Sequence, residues 1–175
     1  MNTIISNKTN TSARTKYLTL TCLLAACITV MTAYIFHIPI GTNGGYIHLG
    51  DTFIYIAAVL LPAPYALAAA AIGGGLADLL TAPVWAPATI IIKMLLTLGF
   101  TNKSAKIINV RNIIAAVIAY PITCLGYAFA EMILFGSEAA FWVSVSGNLI
   151  QVTGSLICFI IIGFALDKAG FKKRM

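Results

Sequence analysis

Charge is what this sequence has least of. Its 175 residues hold 11 Lys+Arg and 5 Asp+Glu, so charged side chains make up 9% of the chain against 60% hydrophobic. A soluble domain carries roughly 25% charged and 45–50% apolar residues. There is too little polar surface here to cover a globule in water, which predicts a membrane protein. At about 20 residues per spanning helix, the length accommodates five or six helices joined by short loops. No room is left for a soluble catalytic or nucleotide-binding domain of about 100 residues.

Other absences narrow the chemistry. Cys22, Cys27, Cys124 and Cys158 all fall inside apolar runs, with no CxxC pair and no nearby His. They read as small buried apolar residues rather than as a disulfide or metal set. The triplet Gly73-Gly74-Gly75 is not followed by Gly-Lys-Ser/Thr, so it is no phosphate loop. No metal-ligand or nucleophile-triad pattern is present, and no cofactor is expected. A net charge of +6 would suggest nucleic acid in a soluble protein. Here the basic residues cluster between apolar runs, where they set orientation in a bilayer, and nucleic-acid binding is set aside.

What the chain does contain is a series of apolar runs. Residues 1–15 are polar and read as a disordered cytoplasmic segment, 16–168 as a membrane domain and 169–175 as a basic cytoplasmic tail. The first run, 17–40, exceeds the 7–15 apolar residues of a signal peptide and is read as a retained helix. A flexible, uncharged loop at 41–45 follows. A short second helix starts near Leu49 and ends at Pro62-Ala63-Pro64. Third and fourth helices are expected at 65–80 and 88–100, separated by a proline-containing turn. A polar, basic loop spans 101–112, and two long helices follow at about 113–135 and 141–166. The fold class is therefore all-α: a polytopic membrane protein with six transmembrane helices.

Basic residues test that count. With the N-terminus in the cytoplasm and six alternating spans, Lys8, Arg14, Lys16, Lys103, Lys106, Arg111, Lys168, Lys172, Lys173 and Arg174 all fall inside. The eleventh, Lys93, lies within a helix, and the outer loops contain no Lys or Arg. Both termini are thus expected to be cytoplasmic, in a multi-pass protein of a prokaryotic plasma membrane.

The few polar side chains left over gather toward the outer ends of the helices. Tyr46 and Asp51 mark the first outer loop and the start of the second helix, with His48 between them. Asp78 ends the third helix and Trp85 sits in the turn after it. Lys93 lies two turns into the fourth helix, roughly 8–10 Å deep. Glu131 is about one turn inside the fifth. Trp142, Asn148 and Gln151 occupy the outer half of the sixth, the last two on one face at i, i+3. Charges inside a bilayer are expensive and usually mark a site. These residues are candidates for substrate binding, the tryptophans as flat walls. The plainer alternatives are a structural ion pair of Lys93 with Asp51 or Asp78, helix caps, and interfacial aromatics. His48 reads as incidental.

Small residues recur on two helices: Thr21, Ala25, Thr29 and Ala33 on the first, and Ala66, Ala70 and Gly74 on the third. Such faces let helices approach closely, within the fold or against another membrane subunit.

The order of three stretches resembles a known family. Gly45-Tyr46-Ile47-His48-Leu49-Gly50-Asp51, Gly75-Leu76-Ala77-Asp78-Leu79-Leu80 and Ala86-Pro87-Ala88-Thr89-Ile90-Ile91-Ile92-Lys93 are similar to segments of the substrate-binding S components of energy-coupling factor (ECF) vitamin transporters. The branch they look like contains the hydroxymethylpyrimidine/riboflavin-type S components. The resemblance covers nearly the whole chain from Tyr17 to Lys173. It implies a six-helix protein that binds one vitamin or vitamin precursor near its outer face under the first outer loop. It further implies docking on a transmembrane coupling protein driven by two ATPase subunits. The family carries an Ala-x-x-x-Ala docking surface on its first helix. This chain departs from it, with Ala25 followed by Thr29 and Ala26 by Val30, and the face Thr21, Ala25, Thr29, Ala33 is the substitute. Within the family a pyrimidine-like thiamine precursor is preferred over riboflavin or a pyridoxine-like ligand.

The residues themselves fit that mechanism, because a chain without an ATP site cannot power uptake alone. Two other readings stand beside it: a self-contained channel or secondary carrier, and an intramembrane enzyme using His48, Asp51 or Glu131 as acid–base groups.

Overall fold

The computed structural model describes residues 2–40, 45–136 and 138–174, with side chains described outside 2–10, 40, 45 and 138–140. Six α-helices carry almost all of the chain: α1 (Asn2–Ala33), α2 (Asp51–Leu60), α3 (Ala63–Thr81), α4 (Ala86–Thr97), α5 (Val110–Phe135) and α6 (Glu138–Lys168). Helix α1 begins at Asn2 and takes in the polar segment ahead of the apolar run. The all-α expectation needs one amendment. Between α1 and α2 two short strands, β1 (Ile38–Ile40) and β2 (Gly45–Ile47), pair antiparallel with Pro39 opposite Tyr46. The flexible loop expected at 41–45 otherwise lies outside the described residues.

Local chemistry places most helix ends. Leu61 adopts an extended conformation before Pro62, which stops α2, and α3 starts at once with Pro64 in its first turn. Pro83 opens a single 3₁₀ turn, Pro83–Trp85, that leads into α4. The Asn109 side chain accepts the Asn112 N–H at 3.1 Å and caps α5. At the other end of α5, Gly136 takes φ 64°, the left-handed conformation that a C-terminal cap requires, and donates its N–H to Met132 at 2.9 Å.

Among the described residues four segments are long and apolar enough to cross a bilayer: Thr11–Ala33, Ala63–Thr81, Val110–Phe135 and Phe141–Lys168. Helices α2 and α4, with 10 and 12 residues, are shorter than a bilayer core.

Side-chain contacts fix the helix directions. Helices α1 and α3 run parallel, since Tyr17 meets Tyr65 at 5.4 Å between ring centroids and Thr29 bonds to Gly73 further along both. Helices α2 and α6 run parallel as well: Thr52 bonds to the Ser155 carbonyl, and Tyr55 meets Phe159 edge-on. Helix α5 runs against α4, with Gly126 against Ile92 and Gly99 against Ala115. Helices α1, α3 and α5 thus point one way and α2, α4 and α6 the other. The bundle has a hairpin end, holding the strands and the Pro83–Trp85 turn, and a loop end, holding the α4–α5 loop and the C-terminal tail.

The core is small and closely packed. Tyr55, Phe100 and Phe159 form an aromatic centre toward the loop end, with Ile28, Ile54, Val59 and Val152 buried around it. Glycine makes the closest approaches possible. A Cβ on Gly73 would lie 2.7 Å from Ile28 Cβ and 2.9 Å from the Ala25 carbonyl. That places α1 directly on the backbone of α3.

Candidate functional site

Polar groups converge one turn below the hairpin. Asp51, the first residue of α2, meets Lys93 of α4 at 2.6 Å, and both are at most 1% exposed. Gln151 of α6 donates from Nε2 to the other Asp51 oxygen at 3.0 Å. The ammonium of Lys93 also lies 5.1 Å from the centroid of the Tyr127 ring on α5. The lysine stem fits because its neighbour on α3 is a glycine: a Cβ on Gly74 would meet Lys93 Cγ at 3.0 Å. Each charge would cost several kcal/mol if buried alone. Together, with the amide and the aromatic face, they form a neutral knot tying four helices.

A second group stands between this knot and the hairpin. The Tyr46 hydroxyl of β2 donates to Asp78 Oδ1 of α3, and Thr81 Oγ1 lies 3.4 Å from the same hydroxyl. Among the described residues Asp78 Oδ2 is buried without a hydrogen-bond partner, although the Thr89 hydroxyl interacts with the same carboxylate. His37 stacks on Tyr46 at 3.9 Å. His48 is 4% exposed and its Nδ1 accepts the Gly50 N–H at 3.0 Å, which requires that nitrogen to be unprotonated. Burial, reinforced by the nearby Lys93 charge, pushes the imidazole down to about 3.

The third component is aromatic. Trp85 is 5% exposed and sits 6.0 Å from Tyr127 and 5.6 Å from Phe135, ring to ring. The Tyr127 hydroxyl pairs with Thr89 at 2.9 Å. One flank of the cluster is therefore aromatic, with the Tyr127 and Phe135 rings tilted 59° and 45° to the Trp85 indole, while the other offers a carboxylate oxygen still able to accept.

Most of the sequence candidates meet here. Asp51, Lys93 and Gln151 form the knot, with Asp51 rather than Asp78 as the partner of the lysine. Tyr46 and Asp78 form the hairpin contact, and Trp85 the wall. Glu131 is buried on α5 one turn beyond Tyr127, at 6% exposed. Asn148 is also buried, but its amide donates to the Ser144 carbonyl of its own helix at 2.8 Å. Trp142 stands apart, 70% exposed and touching Phe141. The small-residue face of α1 lies inside the fold: Thr21, Ala25 and Ala33 are each 5% exposed, and Thr29 Oγ1 donates to the Gly73 carbonyl at 3.0 Å. That surface is occupied by α3.

Sequence reasoning reads His48 as incidental and offers no role for Thr89 or Tyr127. The helical spacing did offer a signal, since Thr89 sits one turn before Lys93 and Tyr127 one turn before Glu131. Among the described residues no group of three or more His, Cys, Asp or Glu is arranged to hold a metal ion.

Comparison with known proteins agrees with this architecture. The family described as the ECF-type riboflavin transporter, S component, matches residues 12–168. An "Uncharacterized protein in gap 3'region" from Pyrococcus woesei is 27% identical over 140 residues, covering 79% of this chain and 93% of that protein.

Proposed function

This chain belongs to the ECF-type riboflavin transporter S component family, and on that premise we propose that it captures a vitamin or vitamin precursor at the hairpin end of its bundle. The hairpin end faces the outside of a prokaryotic cell. The chain crosses the plasma membrane six times, with the polar segment 1–15 and the basic tail 169–175 both cytoplasmic. Release inward follows docking on a transmembrane coupling protein driven by two ATPase subunits. Because α3 occupies the small-residue face of α1, docking uses the opposite side of that helix, where Leu23 is 58% and Val30 45% exposed.

The observation that carries this reading is the combination beneath the hairpin of the Trp85 indole, its ring tilted 59° to that of Tyr127, and a buried carboxylate oxygen, Asp78 Oδ2, without a hydrogen-bond partner among the described residues. A planar heterocycle with N–H or O–H donors suits both: stacking on the indole and donating to the carboxylate. Asp51, Lys93 and Gln151 form the floor, Glu131 and Asn148 its margins, and Tyr46 the contact through which the hairpin closes. Trp142 belongs to the surrounding bilayer interface rather than to the pocket. Riboflavin and a pyrimidine-type thiamine precursor are the first ligands to try.

Intrinsic fluorescence tests the proposal, because the two tryptophans differ so strongly in exposure. The purified chain should be quenched saturably by one member of a vitamin panel. Trp142→Phe should keep the response and Trp85→Phe should lose it. No quenching by any vitamin, with no small molecule co-purifying by mass spectrometry, would overturn the reading. Uptake into liposomes by the chain alone would favour a self-contained carrier instead.

A further inference from the structure

Basic side chains from two distant parts of the sequence meet at the loop end. The Asp167 carboxylate, near the end of α6, accepts the backbone N–H groups of Ile107 at 2.7 Å and Ile108 at 2.9 Å. Lys172 Nζ donates to the Ser104 carbonyl at 2.7 Å. Asn112, fully buried, holds the same loop from α5 through Thr101 and the Ile107 carbonyl. These bonds fasten the α4–α5 loop to the C-terminal tail, so that Lys103 and Lys106 stand beside Lys172, Lys173 and Arg174. Asp167 is the lone carboxylate in either segment, and its two oxygens are engaged by the loop backbone. One carboxylate, which also acts on Lys172, stands against five basic side chains, so the patch keeps a net positive charge.

The patch borders an exposed apolar surface. Ile114 and Val117 of α5 are 53% and 52% exposed, and Ile161 and Phe164 of α6 are 62% and 66% exposed. Phe171 adds a partly exposed ring within the tail itself, at 37%. Orientation in the membrane needs only positive charge near the helix ends. It does not need two basic segments bonded into one fixed arrangement, which costs the loop and tail their conformational freedom.

We propose that this surface is a binding site for an anionic phospholipid, its phosphate held by Lys103, Lys106, Lys172 and Lys173 and its acyl chains lying along α5 and α6. Charge complementarity selects the headgroup, and the apolar stripe beside the lysines selects a lipid over a soluble anion. Each lysine near an anionic membrane surface adds to the attraction for a negatively charged headgroup. A cluster of several therefore discriminates between charged and zwitterionic headgroups.

Native mass spectrometry of the full chain, with phosphatidylglycerol and phosphatidylcholine of matched acyl chains in competition, reads this preference directly. Phosphatidylglycerol should be retained on the order of tenfold over phosphatidylcholine. The combined Lys103→Gln, Lys106→Gln, Lys172→Gln, Lys173→Gln variant should retain both lipids equally, while Arg14→Gln keeps the preference. Should the combined variant fail to fold, raising the salt on the unmodified chain screens the same contacts and should erase the preference. Equal retention of the two lipids by the unmodified chain would overturn the proposal. So would a preference that survives both substitution and salt, or selective capture of an acidic peptide in place of lipid.

Discussion

Lys93 illustrates how far one residue could be read in advance. A lone lysine within an apolar helix signals a costly group with a partner, and the sequence offered Asp51 and Asp78 equally. The choice of Asp51 depends on α2 and α4 running side by side, which no local pattern records. The arrangement has an energetic consequence. Removing one member of a buried pair leaves a stranded charge, at a cost of about 3–5 kcal/mol, whereas replacing both is close to neutral. Lys93→Met and Asp51→Asn should therefore each strongly lower the midpoint of denaturation in detergent. The double variant should recover more than half of the loss. Additive losses in the double variant would mean that the two charges do not rely on each other.

His48, which looked incidental in the sequence, carries the pH dependence. Its imidazole sits at about 3 when buried and returns to about 6.5 once the hairpin opens to water. The folded value is depressed, so the closed hairpin is fully favoured above pH 6.5 and progressively loses that advantage as pH falls toward 3. The titratable groups acting on the ring are Lys93, Asp51 and His37, and the charges of the first two offset each other. Between pH 7 and 5 the hairpin should open roughly ten- to thirtyfold more often. Ligand dissociation followed by stopped flow should speed up over that window, and His48→Gln should flatten the profile.

At the scale of elements, prolines and the apolar runs made α2 to α6 legible to within a few residues, whereas α1 begins about fifteen residues before the apolar run at 17–40 and stops at Ala33, seven residues before its end. The hairpin was not legible. Gly41 to Gly45 suggested flexibility, while the pairing of Ile38–Ile40 with Gly45–Ile47 rests on only three residues per strand. The small-residue stripes were seen, but their use was not decided by sequence, because a smooth face serves an internal or an external neighbour equally well. The glycine triplet shows the outcome in detail. Gly73 faces α1, whereas Gly74 and Gly75 face α4. A methyl group on Gly73 would press on Ile28 Cβ and a backbone carbonyl, neither of which yields. On Gly74 it meets the flexible stem of Lys93 and the methyl of Thr89. Gly73→Ala should thus cost about 1–3 kcal/mol of stability, with Gly74→Ala milder in thermal denaturation. Gly74→Ala should instead weaken ligand affinity by displacing Lys93. Equal thermal losses in the two variants would contradict this division of contacts.

The direction of the chain through the whole molecule bears on how many times it crosses the membrane. Among the described residues four segments have the length to span alone, which would permit a scheme in which α1, α3, α5 and α6 cross and the short helices do not. Consecutive crossings must alternate in direction, so that scheme requires α1 and α3 to be antiparallel. The contacts of Tyr17 with Tyr65 and of Thr29 with Gly73 make them parallel. On the proposed six-crossing scheme helix α2, about 15 Å long at 1.5 Å per residue, carries the chain back across, its buried ends sheltered by longer neighbours from lipid. Accessibility of introduced cysteines distinguishes the two schemes in intact cells. In a background lacking the four native cysteines, Val84→Cys and Ala105→Cys place thiols at the hairpin end and the loop end, at positions both exposed to solvent or headgroups. Six crossings put the two thiols on opposite sides. A membrane-impermeant maleimide should label Val84→Cys from outside, and Ala105→Cys only after permeabilisation. With four crossings both thiols would share the side of the N-terminus, and neither would react until the membrane was opened.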